Sequence, residues 1–175
     1  TTPDACFGEG RIIPVLNEVG NGNVMIFDGL HSQLASLMIK YEQDKDFTDT
    51  VHQLVKKSIA DHSLPITTIG NDVRITATHD ITNCHINDGS IIDGALRLRD
   101  CTLKSIPEAC VTIGIGVICQ NSVIYNGSTI TNSAKLKNCF VGEACEITDG
   151  FTAENSLFFA NCYMSNGEAC AAFCG

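Results

Sequence analysis

The chain has 175 residues, enough for one or two domains and a sizeable core; 44% are hydrophobic and 18% charged, which excludes a disordered chain. The formal net charge is −9 and the eleven Lys and Arg residues form no cluster, which argues against a nucleic-acid partner and against an anionic membrane surface. Trp is absent and aromatics are 6%, so the core must be built from small and aliphatic side chains.

The first region is predicted to open with a β-hairpin. Arg11–Leu16 reads as one strand, Gly20–Asn23 as the turn and Val24–Phe27 as the partner strand. Leu30, Leu34, Leu37, Met38 and Tyr41 then fall at helical spacing. After the polar break Glu42–Asp46, a second helical set follows: Phe47, Val51, Leu54, Val55 and Ile59. This predicts an αα-hairpin, with the second helix ended by Ser63, Leu64 and Pro65. The longest apolar stretch, Ala109 to Cys119, is too short and too rich in Gly and Thr to span a bilayer.

From Ile69 onward the helical pattern gives way to a short repeat, which outranks local propensity. Its marker is Asn or Asp followed by Gly, Ser or Cys, as in Asn83-Cys84, Asp100-Cys101, Asn121-Ser122, Asn138-Cys139, Asn155-Ser156 and Asn166-Gly167. Asn and Asp tolerate left-handed backbone and cap turns with their own side chains. Ile118, Ile124, Ile130 and Leu136 keep a six-residue beat and are read as inward-facing, with companions Ser122, Ser128, Ala134 and Phe140. After a one-residue slip the series runs Val141, Ile147, Ala153 and Phe159, with companions Cys145, Phe151, Leu157 and Tyr163. Seventeen residues separate Asn83 from Asp100, Asn121 from Asn138, and Asn138 from Asn155, which predicts a 6+6+5 triangular coil. Stacked coils place Cys84 near Cys101 and Cys101 near Cys119, with Ser122, Cys139 and Ser156 in another column.

The ten cysteines are read at repeat-equivalent positions, and residues 1–30 do not read as a signal peptide, although a mature chain could have lost one. They are read as buried small hydrophobes in a reducing, cytoplasmic setting rather than as a disulfide framework. No CxxC is present to support a zinc site of the usual kind.

The expected fold is therefore mostly β: a parallel β-helix over residues 67–175, preceded by a small α+β region over 1–66 with a β-hairpin and an αα-hairpin. The pattern resembles the left-handed β-helix of hexapeptide-repeat proteins. The stretch Asn121–Ile130 (NSVIYNGSTI) is similar in style to the C-terminal solenoids of sugar-phosphate nucleotidyltransferases. The whole chain resembles an uncharacterised family of large bacterial hexapeptide-repeat proteins, through Gly10–Gly20 (GRIIPVLNEVG) and Asn161–Phe173 (NCYMSNGEACAAF). The resemblance implies a left-handed solenoid. It also implies trimers with sites between adjacent prisms, and acetyl-CoA as a cofactor of the acyltransferase members. The repeat is still running at Cys174-Gly175 with no polar cap, which predicts either a longer chain that continues it, the preferred reading, or a second subunit that covers it.

His79 and His85 are the candidate catalytic residues, close in sequence to Cys84. By the same resemblance, one of them would deprotonate an acceptor hydroxyl or amine. A zinc reading, taken from β-helix carbonic anhydrases, needs a third ligand that the sequence does not supply, and six-residue spacing puts the two histidines on successive faces. No metal is assigned. Surface or corner roles are the plainer reading of both. Lys104–Glu108 interrupts the repeat and is expected to form a loop on one face, which in solenoids is often the binding face. Thr112–Gly116 lacks the Lys-Ser/Thr ending of a phosphate loop. His31, His52 and His62 are read as solvated or capping, and Arg11 as a surface ion-pair member with anion binding as its rival. Tyr125, Lys135, Lys137 and Glu154 suit solvent or a partner on the prism faces.

Two functions follow. One is part of an acyl- or nucleotidyl-transferase-like protein acting on a sugar nucleotide, argued from fold analogy. The other is a non-catalytic structural, oligomerisation or regulatory solenoid, argued from the lack of a complete constellation. For this chain alone the structural reading leads.

Overall fold

A computed structural model describes residues 7–17, 19–62 and 66–175. Thr68 to Cys174 form a parallel β-solenoid of about six coils. The strands are only two or three residues long, except where Arg97–Lys104 and Ile118–Tyr125 run on through a corner. Such strands are stable because each finds its hydrogen-bond partners in the coil above and the coil below.

Three inward columns define three faces. Face A stacks Ile81, Leu98, Cys119, Leu136, Ala153 and Ala169. Face B stacks Ile69, Ile86, Leu103, Ile124, Val141, Phe158 and Cys174. Face C stacks Ile75, Ile92, Ile113, Ile130, Ile147 and Met164. The members between Ile86 and Phe158 are buried and share one core with the corner residues Cys84, Cys101, Ala134, Cys139 and Cys145.

The register corrects the expected beat in two ways. Cys119, not Ile118, faces inward, because Cys119 pairs with Leu136 and Ile118 with Lys135. Phe158, not Phe159, follows Val141. The five-residue step therefore lies between faces A and B in every coil. Phe140 and Leu157 point outward from face B and are buried from the other side, while Tyr163 is exposed. Secondly, Cys101 stacks against Ser122, not Cys119. The columns advance by seventeen residues per coil, except by sixteen into the last coil and by twenty-one from Ile92 to Ile113, Leu98 to Cys119 and Leu103 to Ile124. The four extra residues are the insertion after Lys104, so Cys84, Cys101, Ser122, Cys139 and Ser156 form one corner column.

Beside that column runs a polar ladder. Asn83, Asp100, Asn121, Asn138 and Asn155 all have φ between 50° and 54°, the region Asn and Asp reach at least cost. Asn83 donates to Asp100, Asn121 to Asn138 at 3.1 Å, and Asn138 to Asn155 at 2.9 Å. An ionised Asp100 has no proton to pass on. Arg11 Nη2 instead donates to Asn121 Oδ1 at 3.2 Å, which uses in the fold the cation that the sequence left between ion pair and anion site.

Arg11 belongs to β1 (Arg11–Asn17), which pairs antiparallel with β2 (Asn21–Ile26). Ile13, Val15, Val24 and Ile26 share a core with Val123, Phe140, Leu157 and Phe159 of face B. Met25, at the alternate position, packs instead with Val55 and Ile59 of α2 (Lys45–His62). The hairpin thus buries both sides, one on the solenoid and one on a helix. Ala35 and Met38 of α1 (Ser32–Lys40) join the solenoid side, while Leu37, Tyr41 and Leu54 of the expected stripes remain exposed. The polar break is shorter than expected, because Asp44 accepts from Phe47 N and starts α2 at Lys45. The predicted terminator Ser63-Leu64-Pro65 lies outside the described residues.

Two predictions follow from the stack. Asn138→Ala removes two ladder bonds and forces a left-handed alanine, so urea unfolding should show a loss of roughly 2–4 kcal/mol with an unchanged slope. Asn138→Gly, which keeps the backbone freedom, should lose roughly half as much. The second concerns pH. Burial pushes the Cys101 and Cys119 thiols well above their ordinary value and that of Cys139 up to about 12. Above pH 9 the unfolded chain loses these protons and the folded chain keeps them, so stability is full below that pH and falls as pH rises. Each thiol should cost about 1.4 kcal/mol per pH unit. Cys139→Ser matches its column neighbours Ser122 and Ser156; it should leave the melting temperature near wild type at pH 7 and flatten the alkaline decline.

Candidate functional site

The outward surface of face B changes character along its length. Val123, Phe140 and Leu157 are apolar and lie under β1, β2 and α1. Towards its start the same outward positions carry Thr68, His85 and Thr102, in register. Phe7 covers Thr102, whose hydroxyl donates to the Phe7 carbonyl at 3.0 Å. Beyond Phe7 the face opens into a cavity of about 400 Å³, lined among others by Thr68, Gly70, His85, Asn87, Asp88 and Pro107. That volume lies within the usual range for small-molecule sites.

The insertion forms one wall. Ser105 is buried and its Oγ accepts from Val111 N at 2.9 Å. Ile106 and Ala109 close a short bridge, leaving Ile106 and Pro107 on the rim. The sequence located this loop, and the fold sets it beside His85. On the opposite side the backbone passes very close: Asp88 Oδ1 accepts from Asn71 N at 2.7 Å, and a Cβ on Gly70 would collide with that same carboxylate.

The two candidate histidines do not share this site. His85 is half-buried, lines the cavity and meets the Phe7 ring edge-on at 5.9 Å. His79 is exposed in the connection between the face C strand Arg74–Thr76 and the face A strand Ile81–Thr82, with its N–H on the Ala95 carbonyl. Cys84, next to His85 in sequence, turns into the core. Among the described residues no group of three His, Cys, Asp or Glu side chains stands close enough to hold a metal ion. Thr112–Gly116 is a repeat coil, with Ile113 fully buried in the face C column. His31 caps α1 by accepting from Leu34 N at 3.3 Å, and His52 lines a groove between α2 and the hairpin. The His62 side chain lies outside the described residues.

A second polar arrangement, with no signal in the residue pattern, holds the N-terminal region to face B. Asp28 Oδ2 pairs with Lys104 Nζ at 2.6 Å, and Asp28 Oδ1 accepts from the Tyr125 hydroxyl at 2.6 Å. The Tyr125 oxygen in turn accepts from Gly29 N at 2.6 Å. Burial, then the bond to Asp28, pushes the Tyr125 phenol above its ordinary range, so it stays protonated. Tyr125 and Lys104, read from sequence as prism-face and loop residues, are anchoring residues.

Residues 1–175 match one protein family, described as "Domain of unknown function (DUF4954)". Comparison with curated proteins and with solved structures gave no significant match. Among the described residues no helix is long and apolar enough to cross a membrane.

The two histidines should separate in a stability measurement. His79→Ala should change unfolding free energy by no more than about 0.5 kcal/mol, as for an exposed side chain. His85→Ala removes the ring contact with Phe7 and should cost about 0.5–1.5 kcal/mol. Equal effects in chemical denaturation would contradict the placement.

Proposed function

The chain belongs to the DUF4954 family, and from that premise we propose that it is a rigid β-solenoid platform that holds its N-terminal hairpin–helix unit in a fixed position. Its role is structural, with any assembly made through that rigid frame. The observation that supports this is the shared core: Ile13, Val15, Val24 and Ile26 pack directly against Val123, Phe140 and Leu157, and the Lys104–Asp28–Tyr125 bonds add a directional lock. A hairpin buried on both sides in this way is held to the solenoid by close-packed side chains. The free thiols of the core fit a reducing, cytoplasmic setting.

The second reading is group transfer of the acyl- or nucleotidyl-transferase type, with a sugar-nucleotide substrate and, for acyl transfer, acetyl-CoA as donor. What favours it is His85 beside a cavity of small-molecule size. His85 would then act as the base; His79 would need a site of its own on the exposed connection.

Product formation separates the two. Incubation with acetyl-CoA, or with UDP- and ADP-sugars, together with candidate acceptors should release no free CoA and no nucleotide above background. Release that falls by roughly 10²–10⁴ in His85→Ala would overturn the platform reading and establish the transferase.

A further inference from the structure

We propose that the outer surface of face A is a docking site for a short, extended acidic segment of a partner protein. The eleven Lys and Arg residues form no cluster in sequence, but the coils gather four of them here. Arg97 and Arg99 stand on one coil and Lys135 and Lys137 two coils further on, with Ile118 and Gln120 in register between them. All four cations are exposed, while Ile118 and Gln120 are half-buried and neutral. Face B lies under the N-terminal unit, whereas these side chains face solvent.

Charge and spacing select the partner. Carboxylates bound the patch on both sides: Asp80 pairs with Arg97 at 3.5 Å and with Arg99 at 3.2 Å, and Glu154 pairs with Lys137 at 2.6 Å. Glu168 follows one coil later, in register with Thr152. The chain carries −9 overall, so a long polyanion is repelled wherever it runs past the patch. No aromatic side chain stands among the outward residues of face A for a base to stack on, which sets single-stranded nucleic acid aside. Arg97, Arg99 and Lys137 lean away from the gap at Gln120, and strands two coils apart are roughly 9.5 Å apart, so a compact anion engages one row only. An extended peptide matches both dimensions. Its side chains on one face recur every ~6.6 Å, as do the two cations of each strand, and three of its residues span the gap between the rows. Arginine forks take carboxylates through paired hydrogen bonds. The ion pairs such a segment displaces are exposed and contribute little.

The inference rests on the platform reading, to which it gives a partner; because binding is read without any acyl or nucleotide donor, its failure leaves the product-release result untouched. The test is fluorescence anisotropy of a labelled, end-capped hexaglutamate peptide titrated with the whole chain, with hexaglutamine, oligothymidylate of equal charge and tripolyphosphate as comparators. Hexaglutamate should bind saturably, more tightly than any comparator, and more weakly as salt rises. Arg99→Gln and Lys135→Gln should each weaken it about threefold, and together about tenfold. The double change Lys56→Gln/Lys57→Gln, which alters net charge equally but on exposed positions of α2, should leave affinity unchanged. Asp80→Asn, which releases Arg97 and Arg99, should tighten binding about threefold; a merely structural role for that pair predicts no gain. Absence of saturable binding, tighter binding of oligothymidylate or tripolyphosphate, equal losses in the two double variants, or no gain in Asp80→Asn would each overturn the proposal.

Discussion

The structure depends on register between coils. A two-residue strand has almost no stability alone; it persists here because its backbone groups bond to equivalent residues one coil away, in every coil from Thr68 to Cys174. Side chains fix that register twice over. Inside, aliphatic columns allow no shift by one residue without turning every inward group outward. At the corner between faces A and B, the Asn83–Asp100–Asn121–Asn138–Asn155 ladder ties like to like. The four-residue insertion shows how strongly the columns rule: the chain bulges outward after Lys104 and resumes with Ile113, Cys119 and Ile124 still stacked on Ile92, Leu98 and Leu103.

Register also explains the N-terminal region. Face B carries Val123, Phe140, Leu157 and Phe159 on its outer side, where a free-standing prism would carry polar groups. These residues need a cover, and the hairpin supplies one with strand periodicity: Val24 and Ile26 face the solenoid, while Met25 faces α2. Close contact comes with it. Gly8, at φ 87°, passes so near the Asp100–Ser122 backbone that a Cβ would lie 2.7 Å from Ser122 N, a position only glycine can occupy. Arg11 then completes the ladder at the point where an aspartate interrupts the supply of donors.

The cavity lies where this cover stops. Its floor is the first polar stretch of face B, its wall is the insertion, and Phe7 marks its inner edge. Three separate features of the chain meet there: Thr68 from the opening coil, His85 to Asp88 from the next, and Ser105 to Pro107 from the one after.

The solenoid, its coil of about seventeen residues, the Asn corners, and a hairpin followed by two helices could all be read from the residue pattern. These are written locally: the corners need left-handed residues, and the alternation between corners needs small and aliphatic ones. The vertical pairings of Cys84 with Cys101 and of Asn138 with Asn155 were legible for the same reason. Tertiary structure alone decided what stacks across the insertion, because a four-residue bulge is silent about which strand absorbs it; Cys101 therefore met Ser122 instead of Cys119. It also decided which side buries Phe140, Leu157 and Phe159, since an outward residue under a cover and an inward one are equally apolar in sequence. The site was legible only in pieces. His85 and the Lys104–Glu108 loop stood out, but their meeting at one cavity did not, because it depends on how the coils stack and not on the residues themselves.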